Sequence, residues 1–354
     1  MNHSPSLAVC VMHAQPLHHG HLALLEQALQ RADRVVVVLA DAHQARTPAT
    51  PFTLAERRQM LLDSLSASAR QRVHTLPLRN WPQRAQREAA IEHGVGTLLR
   101  QWGWPSDTPV VLLDCARHAP DPQALRPGGW PCEVLEPAPG LARTGLAERW
   151  FSAGPELTDA DWQALKAHVP EASLRAMQRL SGTPAFAELV TEWRMLQGYR
   201  QAWAAAPYPP VFVTVDAVLQ CAGHVLLIER GQSPGKGLLA LPGGFIDPRD
   251  STWQSAVREL REETRLAVDD AELSTACQGM AVFDHPDRSQ RGRTITHAFH
   301  IDLGGRPLPT IEAADDARDA RWVPVSELKA LANRLHDDHF FILDHFLGLV
   351  TDER

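Results

Sequence analysis

The chain has 354 residues, of which 44% are hydrophobic, and its net charge is −7. This length exceeds one typical core, so two domains are predicted, and the composition suits a soluble globular protein. The negative charge argues against a nucleic-acid partner, because a phosphate backbone attracts basic surfaces. The sequence shows no stretch long enough to span a membrane and no signal peptide, so we expect a cytoplasmic protein without membrane partners.

The cysteine pattern indicates neither a disulfide framework nor a zinc site. The cysteines are scattered, their number is odd, and no two of them form a CxxC pair. This usage fits a reducing compartment. The oligomeric state stays open, with a homo-oligomer as one option. The five cysteines are Cys10, Cys115, Cys132, Cys221 and Cys277.

The chain opens with a strand, a loop, a helix and a second strand. Ser6–Met12 is typical of a buried strand, and Leu22–Arg31 has the apolar spacing of a helix. Val35–Ala40 is a β-branched run, which indicates a parallel strand covered on both faces. This order predicts a βαβ unit. Ligands bind such sheets at the carboxyl ends of the strands, where the loop after Met12 must lie.

That loop contains the sequence His18-x-Gly20-His21 immediately before the helix. A helix N-terminus offers free amides and a positive dipole to phosphate, so the cluster suits a nucleotide; two ordinary surface histidines are the alternative. The segment resembles the nucleotidyltransferase superfamily, above all the nicotinamide mononucleotide adenylyltransferases, whose motif is GRFQPxHxGH. The resemblance implies a Rossmann-like fold that binds ATP and nicotinamide mononucleotide. The nucleotide-binding residues that it implies are Gln15, His18, Gly20, His21 and, further along the chain, Thr144.

Three departures from that family's motifs predict a poor adenylyltransferase. Met12-His13-Ala14 stands where the family has Gly-Arg-Phe, so a titratable ring replaces an always charged guanidinium. Asp114–His118 stands where it has a Gly-His-x-Lys-Asp-like motif, which introduces a carboxylate. In the place of Ser-x-Thr-x-x-Arg the chain keeps Thr144 but has Ala147 at the arginine position. A fully bifunctional enzyme that also makes NAD is the alternative.

Helices and strands alternate through the rest of the first half. Thr53–Leu65 is a predicted helix, in which Arg57 falls where the adenylyltransferases often have arginine. Residues 119–139 are rich in Pro and Gly and are expected to be irregular. Further predicted elements are strands at Val73–Leu78 and Val110–Leu113 and helices at Leu157–Val169, Leu174–Leu180 and Pro184–Trp203.

A proline-rich segment, Ala204–Pro210, is the predicted domain junction, because proline ends helices and stiffens linkers. We therefore predict a nucleotidyltransferase-like domain at residues 1–185, a helical linker at 186–206 and a second domain at 207–354.

The second domain is predicted to contain five strands and a helical C-terminal part. Helices are expected at Val325–Leu335 and Phe340–Leu349. The histidines and aspartates between His336 and His345 could suggest a metal site, but the apolar residues among them make a packed helix the simpler account. The predicted strands are Val211–Leu219, His224–Arg230, Met280–Phe283, Thr294–Leu303 and Ala320–Val325.

Within this domain, Leu241–Val268 combines a glycine turn with an acidic helix. Gly243 and Gly244 permit a close backbone approach to a ligand, and capping residues after Pro248 start the helix. Three carboxylates on one helix side repel one another, and a hard cation removes that cost while sharing ligands with phosphates. Mg²⁺, or Mn²⁺ in its place, is thus expected; a solvated acidic face is the alternative. The three carboxylates belong to Glu259, Glu262 and Glu263.

This stretch resembles the Nudix hydrolases, whose box reads GX5EX7REUXEEXGU, where U is a bulky aliphatic residue. Asp250 replaces a glutamate of the box, and Arg265 replaces a glycine, so the helix end is expected to form in another way. The resemblance implies a Nudix α/β/α sandwich in which the glutamates bind metal, Arg258 assists catalysis and the glycines contact substrate. The matching positions are Gly244, Arg258, Glu259, Leu260, Glu262, Glu263 and Leu266.

Together the two halves resemble the bifunctional nicotinamide mononucleotide adenylyltransferase/ADP-ribose pyrophosphatases. The segment Arg288–Ala298 lies outside the general box and carries the group-specific similarity. Its arginines Arg288, Arg291 and Arg293 suit a diphosphate, and a solvated basic loop is the alternative. The resemblance implies Mg²⁺-dependent cleavage of ADP-ribose to AMP and ribose 5-phosphate, in NAD metabolism.

Two other functions stay open for the second domain. One is a module that senses ADP-ribose without cutting it, although such a regulator would be expected to lose box carboxylates. The other is a hydrolase for a different nucleoside diphosphate, which the box does not exclude. The general base is also open, with Glu312, Asp315 and Asp316 as candidates.

Overall fold

The computed structural model describes residues 6–115, 125–135 and 145–350. Its internal contacts divide the chain into two compact units, one ending at Val190 and the other beginning at Thr191. A single helix, α8 (Pro184–Trp203), passes from the first unit into the second and has the bounds predicted from the sequence. Among the described residues, no helix is both long and apolar enough to cross a membrane.

The first unit is built on a five-stranded parallel sheet with the order β3-β2-β1-β4-β5. The β-branched residues of β2 are buried, as expected for a strand covered on both faces. The predicted βαβ unit is therefore confirmed. The strands are β1 (Leu7–Met12), β2 (Arg34–Leu39), β3 (Val73–Pro77), β4 (Val110–Cys115) and β5 (Cys132–Leu135).

Helices cover this sheet, and one long helix was not predicted. Ile91, Val95 and Leu99 of α4 repeat every four residues and pack on Leu7 and Val36 of the sheet. The expectation that 119–139 is irregular was wrong at β5, a four-residue edge strand whose exposed Val134 gives a weak alternation signal. The helices are α1 (His19–Arg31), α2 (Leu54–Asp63), α3 (Ala67–Arg72), α4 (Arg84–Trp102), α5 (Leu146–Ala153), α6 (Asp159–Lys166) and α7 (Glu171–Ser181).

The second unit contains a mixed sheet with the order β10-β11-β6-β7-β12, and two short strands pair at its centre. Strands β6 and β11 are parallel, and the other pairs are antiparallel. The short strands β8 and β9 pair with β7 and β6, and β9 begins with Gly243 and Gly244. The strands are β6 (Val211–Cys221), β7 (His224–Arg230), β8 (Leu239–Ala240), β9 (Gly243–Phe245), β10 (Cys277–Phe283), β11 (Arg293–Asp302) and β12 (Ala317–Pro324).

Three helices complete this unit: α9 (Thr252–Thr264), α10 (Asp270–Ala276) and α11 (His339–Leu347). The predicted helix at Val325–Leu335 was wrong. Two short 3₁₀ turns occupy this segment, and Leu335, directly after the second turn, forms a bridge with Leu239.

Candidate active site

Helix α9 presents one buried face and one acidic face. The Ser251 hydroxyl caps the N-terminus of the helix by accepting a hydrogen bond from the Gln254 backbone amide at 3.3 Å. In turn, the side-chain oxygen of Gln254 accepts a hydrogen bond from the Ser251 backbone amide at 2.9 Å. Val257 and Leu260 pack on the apolar side of the sheet. This packing fixes the rotation of the helix, so its glutamates face the glycine turn.

The glycine turn lies against those glutamates. The Gly243 amide donates a hydrogen bond to Glu263 Oε2 at 2.9 Å. A Cβ on Gly243 would collide with Val215 and Asp216 of β6, and one on Gly244 would lie 2.7 Å from the Glu259 carboxylate. Gly243 therefore requires glycine against the β6 backbone, whereas a side chain at Gly244 would have to displace the Glu259 carboxylate. The predicted approach to a ligand stays a prediction.

One arginine forms ion pairs with three carboxylates. Arg258 contacts Glu262 at 2.7 Å, Glu259 at 3.0 Å and Asp250 at 3.4 Å. Asp250 thus reaches the arginine although its side chain is shorter than glutamate. These charge-assisted contacts hold Glu259 and Glu262 on the same side of the helix.

Burial disfavours the ionised form of these carboxylates. Burial raises the pKa of Glu263 to about 8, and it also raises the pKa of Glu259. Within the described residues no three metal-ligating side chains already converge on one point. The donor set nevertheless fits a hard divalent cation, because its oxygens are carboxylates and a cation would offset the cost of their burial.

The arginine loop, residues 288–293, places its three arginines differently. Arg288 is buried, and its Nε and Nη2 donate to Asp338 at 2.8 and 2.7 Å. Its predicted contact with the diphosphate stays a prediction, because the pair with Asp338 uses two of the three guanidinium nitrogens. Arg291 lies 5.0 Å from the centre of the Phe245 ring, and Arg293 donates to the Asp284 carbonyl.

The acidic loop after β11 closes on the end of α9. The amides of Glu312 and Ala314 donate to the carbonyls of Thr264 and Glu263 at 2.8 and 3.1 Å. The Glu312 side chain pairs with Arg265 at 2.8 Å, whereas Asp315 contributes to the raised pKa of Glu259, after burial and Glu262. Of the three candidate bases, Asp315 is the one whose charge acts on Glu259.

The C-terminal histidines do not form one cluster. His345 is exposed and packs edge-on against Phe283, while His336 and His339 are buried. Helix α11 is packed as predicted, with Phe340, Ile342 and Leu343 buried.

In the first unit, the predicted nucleotide-binding residues lie at the carboxyl ends of β1 and β2. His18 stacks on His21 with ring centres 3.7 Å apart, and its amide donates to His21 Nδ1 at 3.2 Å. Gly20 lies in the first turn of α1. The Gln15 side chain exchanges two 2.9 Å hydrogen bonds with the Phe52 backbone, which makes it a brace between two loops. Thr144 and residues 116–118 lie outside the described residues.

Further side chains brace the same end of the sheet. His13 Nδ1 lies 2.5 Å from Asp41 Oδ2. Arg57 is fully buried, and its guanidinium donates to the carbonyls of His13, Ala40 and Asp41. Ala14 and Asp41 also have positive φ, at 49° and 54°. Such backbone strain concentrates at functional sites, and here it surrounds the predicted nucleotide site.

Comparison with known proteins supports a two-part chain. Residues 210–345 match the model of the NUDIX domain family, and residues 13–79 match the cytidylyltransferase-like family.

The second unit is a Nudix domain.

The first unit contains a cytidylyltransferase-like domain, so the predicted succession of a Rossmann-like and a Nudix fold is confirmed. A crystal structure of a bifunctional NMN adenylyltransferase/ADP ribose pyrophosphatase from Francisella tularensis, with AMP and a manganese ion, is similar over the full length. It has a TM-score of 0.86 and 26% identity, and the match covers 97% of this chain and 99% of that one.

Two curated relatives match one domain each. An ADP-ribose pyrophosphatase from Methanocaldococcus jannaschii is 36% identical over 120 residues, which are 34% of this chain and 66% of the relative. A nicotinamide-nucleotide adenylyltransferase from Thermococcus onnurineus is 33% identical over 75 residues, which are 21% of this chain and 40% of the relative. The chain thus covers less than two thirds of each relative's length. A divalent metal is the general requirement of Nudix hydrolases.

The Nudix helix ends differently from our expectation. Arg265 adopts the left-handed conformation with φ 45°, and its amide donates to the Arg261 carbonyl at 2.8 Å. The prediction of another kind of helix end was therefore wrong: the arginine takes the backbone conformation that glycine has at this place in the box.

Replacing Arg265 by glycine is expected to stabilise the protein. A non-glycine residue in the left-handed region costs roughly 1 kcal/mol. Arg265→Ala is the matched control, because it also loses the exposed Glu312 pair but keeps the strain. We expect the denaturant midpoint of Arg265→Gly to exceed that of Arg265→Ala by an amount equivalent to about 1 kcal/mol. Equal midpoints would show that the helix end is not strained.

Proposed function

We propose that the Nudix domain hydrolyses the diphosphate of ADP-ribose to AMP and ribose 5-phosphate, with Mg²⁺, or Mn²⁺ in its place. The observation that carries the proposal is the packing of Glu259 and Glu263 against the half-buried Gly243–Gly244 backbone. The similarity to an ADP-ribose pyrophosphatase at 36% identity supports the choice of substrate.

The chain's own residues have distinct tasks in this proposal. Glu259, Glu262 and Glu263 would hold the metal, which supplies neutralisation of the diphosphate and an activated water when bound. Arg258 orients Glu259 and Glu262, and the Gly243 amide orients Glu263. The absence of side chains lets the two glycines pack closely on β6 and on the Glu259 carboxylate.

An aromatic surface beside the glutamates suits the adenine base. Phe245 follows the glycine turn directly and is 37% exposed. It packs edge-on against Phe212, and Phe212 also packs edge-on against Trp203. Arg291 lies over Phe245, and its Nε is buried without a hydrogen-bond partner among the described residues. A cation next to an exposed ring can serve a diphosphate and its attached base together.

ADP-ribose is therefore expected to be the preferred substrate. The test is a panel of ADP-ribose, NADH, a sugar nucleotide and a nucleoside triphosphate, with purified full-length protein and Mg²⁺. The highest kcat/KM is expected for ADP-ribose. Much faster cleavage of NADH or a triphosphate would assign the domain to another diphosphate substrate, and binding without any cleavage would make it a sensing module.

The double variant Arg291→Ala, Arg293→Ala is expected to raise KM for ADP-ribose by roughly 10-fold or more, because a hydrogen bond to a charged group contributes about 1.5–3 kcal/mol. A drop in kcat instead would mean that the arginines act on charge that develops during the reaction. Arg334→Ala is the control, since Arg334 is exposed on a 3₁₀ turn. An unchanged KM in the double variant would remove both arginines from the substrate site.

For the first unit we propose a cytidylyltransferase-like domain that binds ATP and nicotinamide mononucleotide weakly and transfers adenylyl groups poorly. A cytoplasmic location and small-molecule nucleotides as partners accompany both proposals. The support is the retained His18–His21 pair at the sheet's carboxyl end, next to a His13–Asp41 contact in place of an arginine.

A further inference from the structure

The segment His336–His339 lies between the last 3₁₀ turn and helix α11 and is almost completely buried. His336 and His339 are 4% and 7% exposed, and the side chains of Asp337 and Asp338 are each 13% exposed. The His336 amide donates to the Leu239 carbonyl at 2.8 Å, next to the bridge between Leu335 and Leu239. The segment therefore runs beside β8, immediately before the glycine turn.

One end of the segment holds the glycine turn. His339 Nδ1 accepts a hydrogen bond from the Leu241 amide at 2.8 Å, two residues before Gly243. Burial lowers the pKa of His339 to about 3, so the ring is neutral at pH 7 and its proton lies on Nε2. Nε2 is 3.6 Å from Asp216 Oδ1, and Asp216 pairs in register with Gly243.

Asp216 is itself fixed from the sheet. Its Oδ2 accepts a 2.6 Å hydrogen bond from the Thr296 hydroxyl of β11, and the residue is only 5% exposed. Two contacts consequently fix the glycine turn. His339 accepts a hydrogen bond from the Leu241 amide before it, and β6 pairs with Gly243 within it. The Gly243 amide in turn positions the Glu263 carboxylate by donating a hydrogen bond to it.

The other end of the segment holds the arginine loop. Asp338 accepts two hydrogen bonds from Arg288, at 2.8 Å from Nε and 2.7 Å from Nη2, and the Arg288 side chain is 5% exposed. A two-pronged pair of this kind fixes the planes of both groups. Arg288 begins the loop that carries Arg291 and Arg293, so Asp338 determines where that loop starts.

We infer that His336–His339 is a positioning element, in which His339 sets the placement of the metal-binding carboxylates and Asp338 sets the placement of the diphosphate-binding arginines. A merely packed helix start would explain the burial of these residues. It would require neither the bond from the Leu241 amide nor the pair with Arg288. The Asp338 part rests on the proposed substrate, whereas the His339 part rests on the proposed metal site and not on the substrate.

The His339 part is tested with two variants of similar polarity. Asn at position 339 can offer an acceptor near the place of Nδ1, whereas Gln extends towards the place of Nε2 and leaves the Leu241 amide without its partner. The first measurement is Mn²⁺ binding to each full-length variant, with free Mn²⁺ followed by electron paramagnetic resonance. This readout needs no substrate, so it stays informative if ADP-ribose is the wrong substrate.

We expect His339→Gln to raise the Mn²⁺ dissociation constant about 10-fold and to lower kcat, since loss of support around metal ligands costs 10–100-fold. His339→Asn is expected to stay within about 3-fold of the unaltered protein. His345→Ala is the matched control, because His345 lies on the same helix but is exposed. Equal Mn²⁺ dissociation constants for the Asn and Gln variants would overturn the His339 assignment.

The Asp338 part is tested with Asp338→Asn, which keeps the size of the side chain and removes its charge. We expect KM for ADP-ribose to rise about 10-fold, with kcat and the Mn²⁺ dissociation constant nearly unchanged. A fall in the active fraction of the protein would lower kcat and leave KM alone, so that pattern overturns the assignment. Arg288→Lys, which keeps the charge but loses the fork, is expected to shift KM in the same direction.

Discussion

Replacing Glu262 or Glu263 by glutamine is expected to lower kcat for diphosphate hydrolysis by roughly 10²-fold or more, as loss of one preorganised charge-stabilising group does in other enzymes. The substitution removes one anionic oxygen ligand from a site that must hold a hard cation against phosphate. For Glu263 the fold should not suffer. The residue is 3% exposed, and a glutamine oxygen can still accept the bond from the Gly243 amide.

The measurement is kcat at saturating ADP-ribose over a Mg²⁺ titration, accompanied by the thermal midpoint without metal. Glu327→Gln is the control, because Glu327 is an exposed carboxylate on a 3₁₀ turn of the same unit. An unchanged midpoint with lost activity would place the effect at the metal rather than in the fold. Near-full activity of both variants at limiting Mg²⁺ would remove the metal assignment.

The sequence was most informative where the structure is determined locally. The glycine turn and helix α9 lie within one short stretch, and cap, apolar face and carboxylates all follow from residue spacing. The same holds for α8, whose bounds agree with the prediction. Asp250, which replaces a glutamate of the box, lies just before that helix and reaches Arg258 at 3.4 Å.

Features that depend on distant partners could not be predicted in this way. Arg288 was expected on a diphosphate, but its partner Asp338 is 50 residues further along the chain. His339 contacts the Leu241 amide across 98 residues, and no spacing rule connects such positions. The edge strand β5 was missed for a related reason, since a short strand is stabilised by its neighbour more than by its own alternation.

Formation of NAD from nicotinamide mononucleotide and ATP is expected to be far slower than an ordinary enzyme turnover of roughly 1 per second. The reaction is an in-line attack on the α-phosphorus of ATP, so the domain must act by positioning and by cations on the phosphates. Two described basic side chains near the strand ends are already engaged. Arg57 is bound by three backbone carbonyls, and His13 stands where the adenylyltransferases have arginine and contacts Asp41.

Each lost cationic contact with a transferring phosphate costs on the order of 10²-fold, so two losses would bring turnover to about 10⁻⁴ of an ordinary rate. The assay should use the Glu263→Gln variant, in which diphosphate hydrolysis is expected to be too slow to consume much of the dinucleotide that forms. The Thermococcus onnurineus adenylyltransferase is a positive control. His18→Ala is the matched variant, because His18 stacks on His21 at the helix N-terminus. A turnover of roughly 1 per second or faster that is lost in His18→Ala would show a working adenylyltransferase, with cations supplied by residues other than His13 and Arg57.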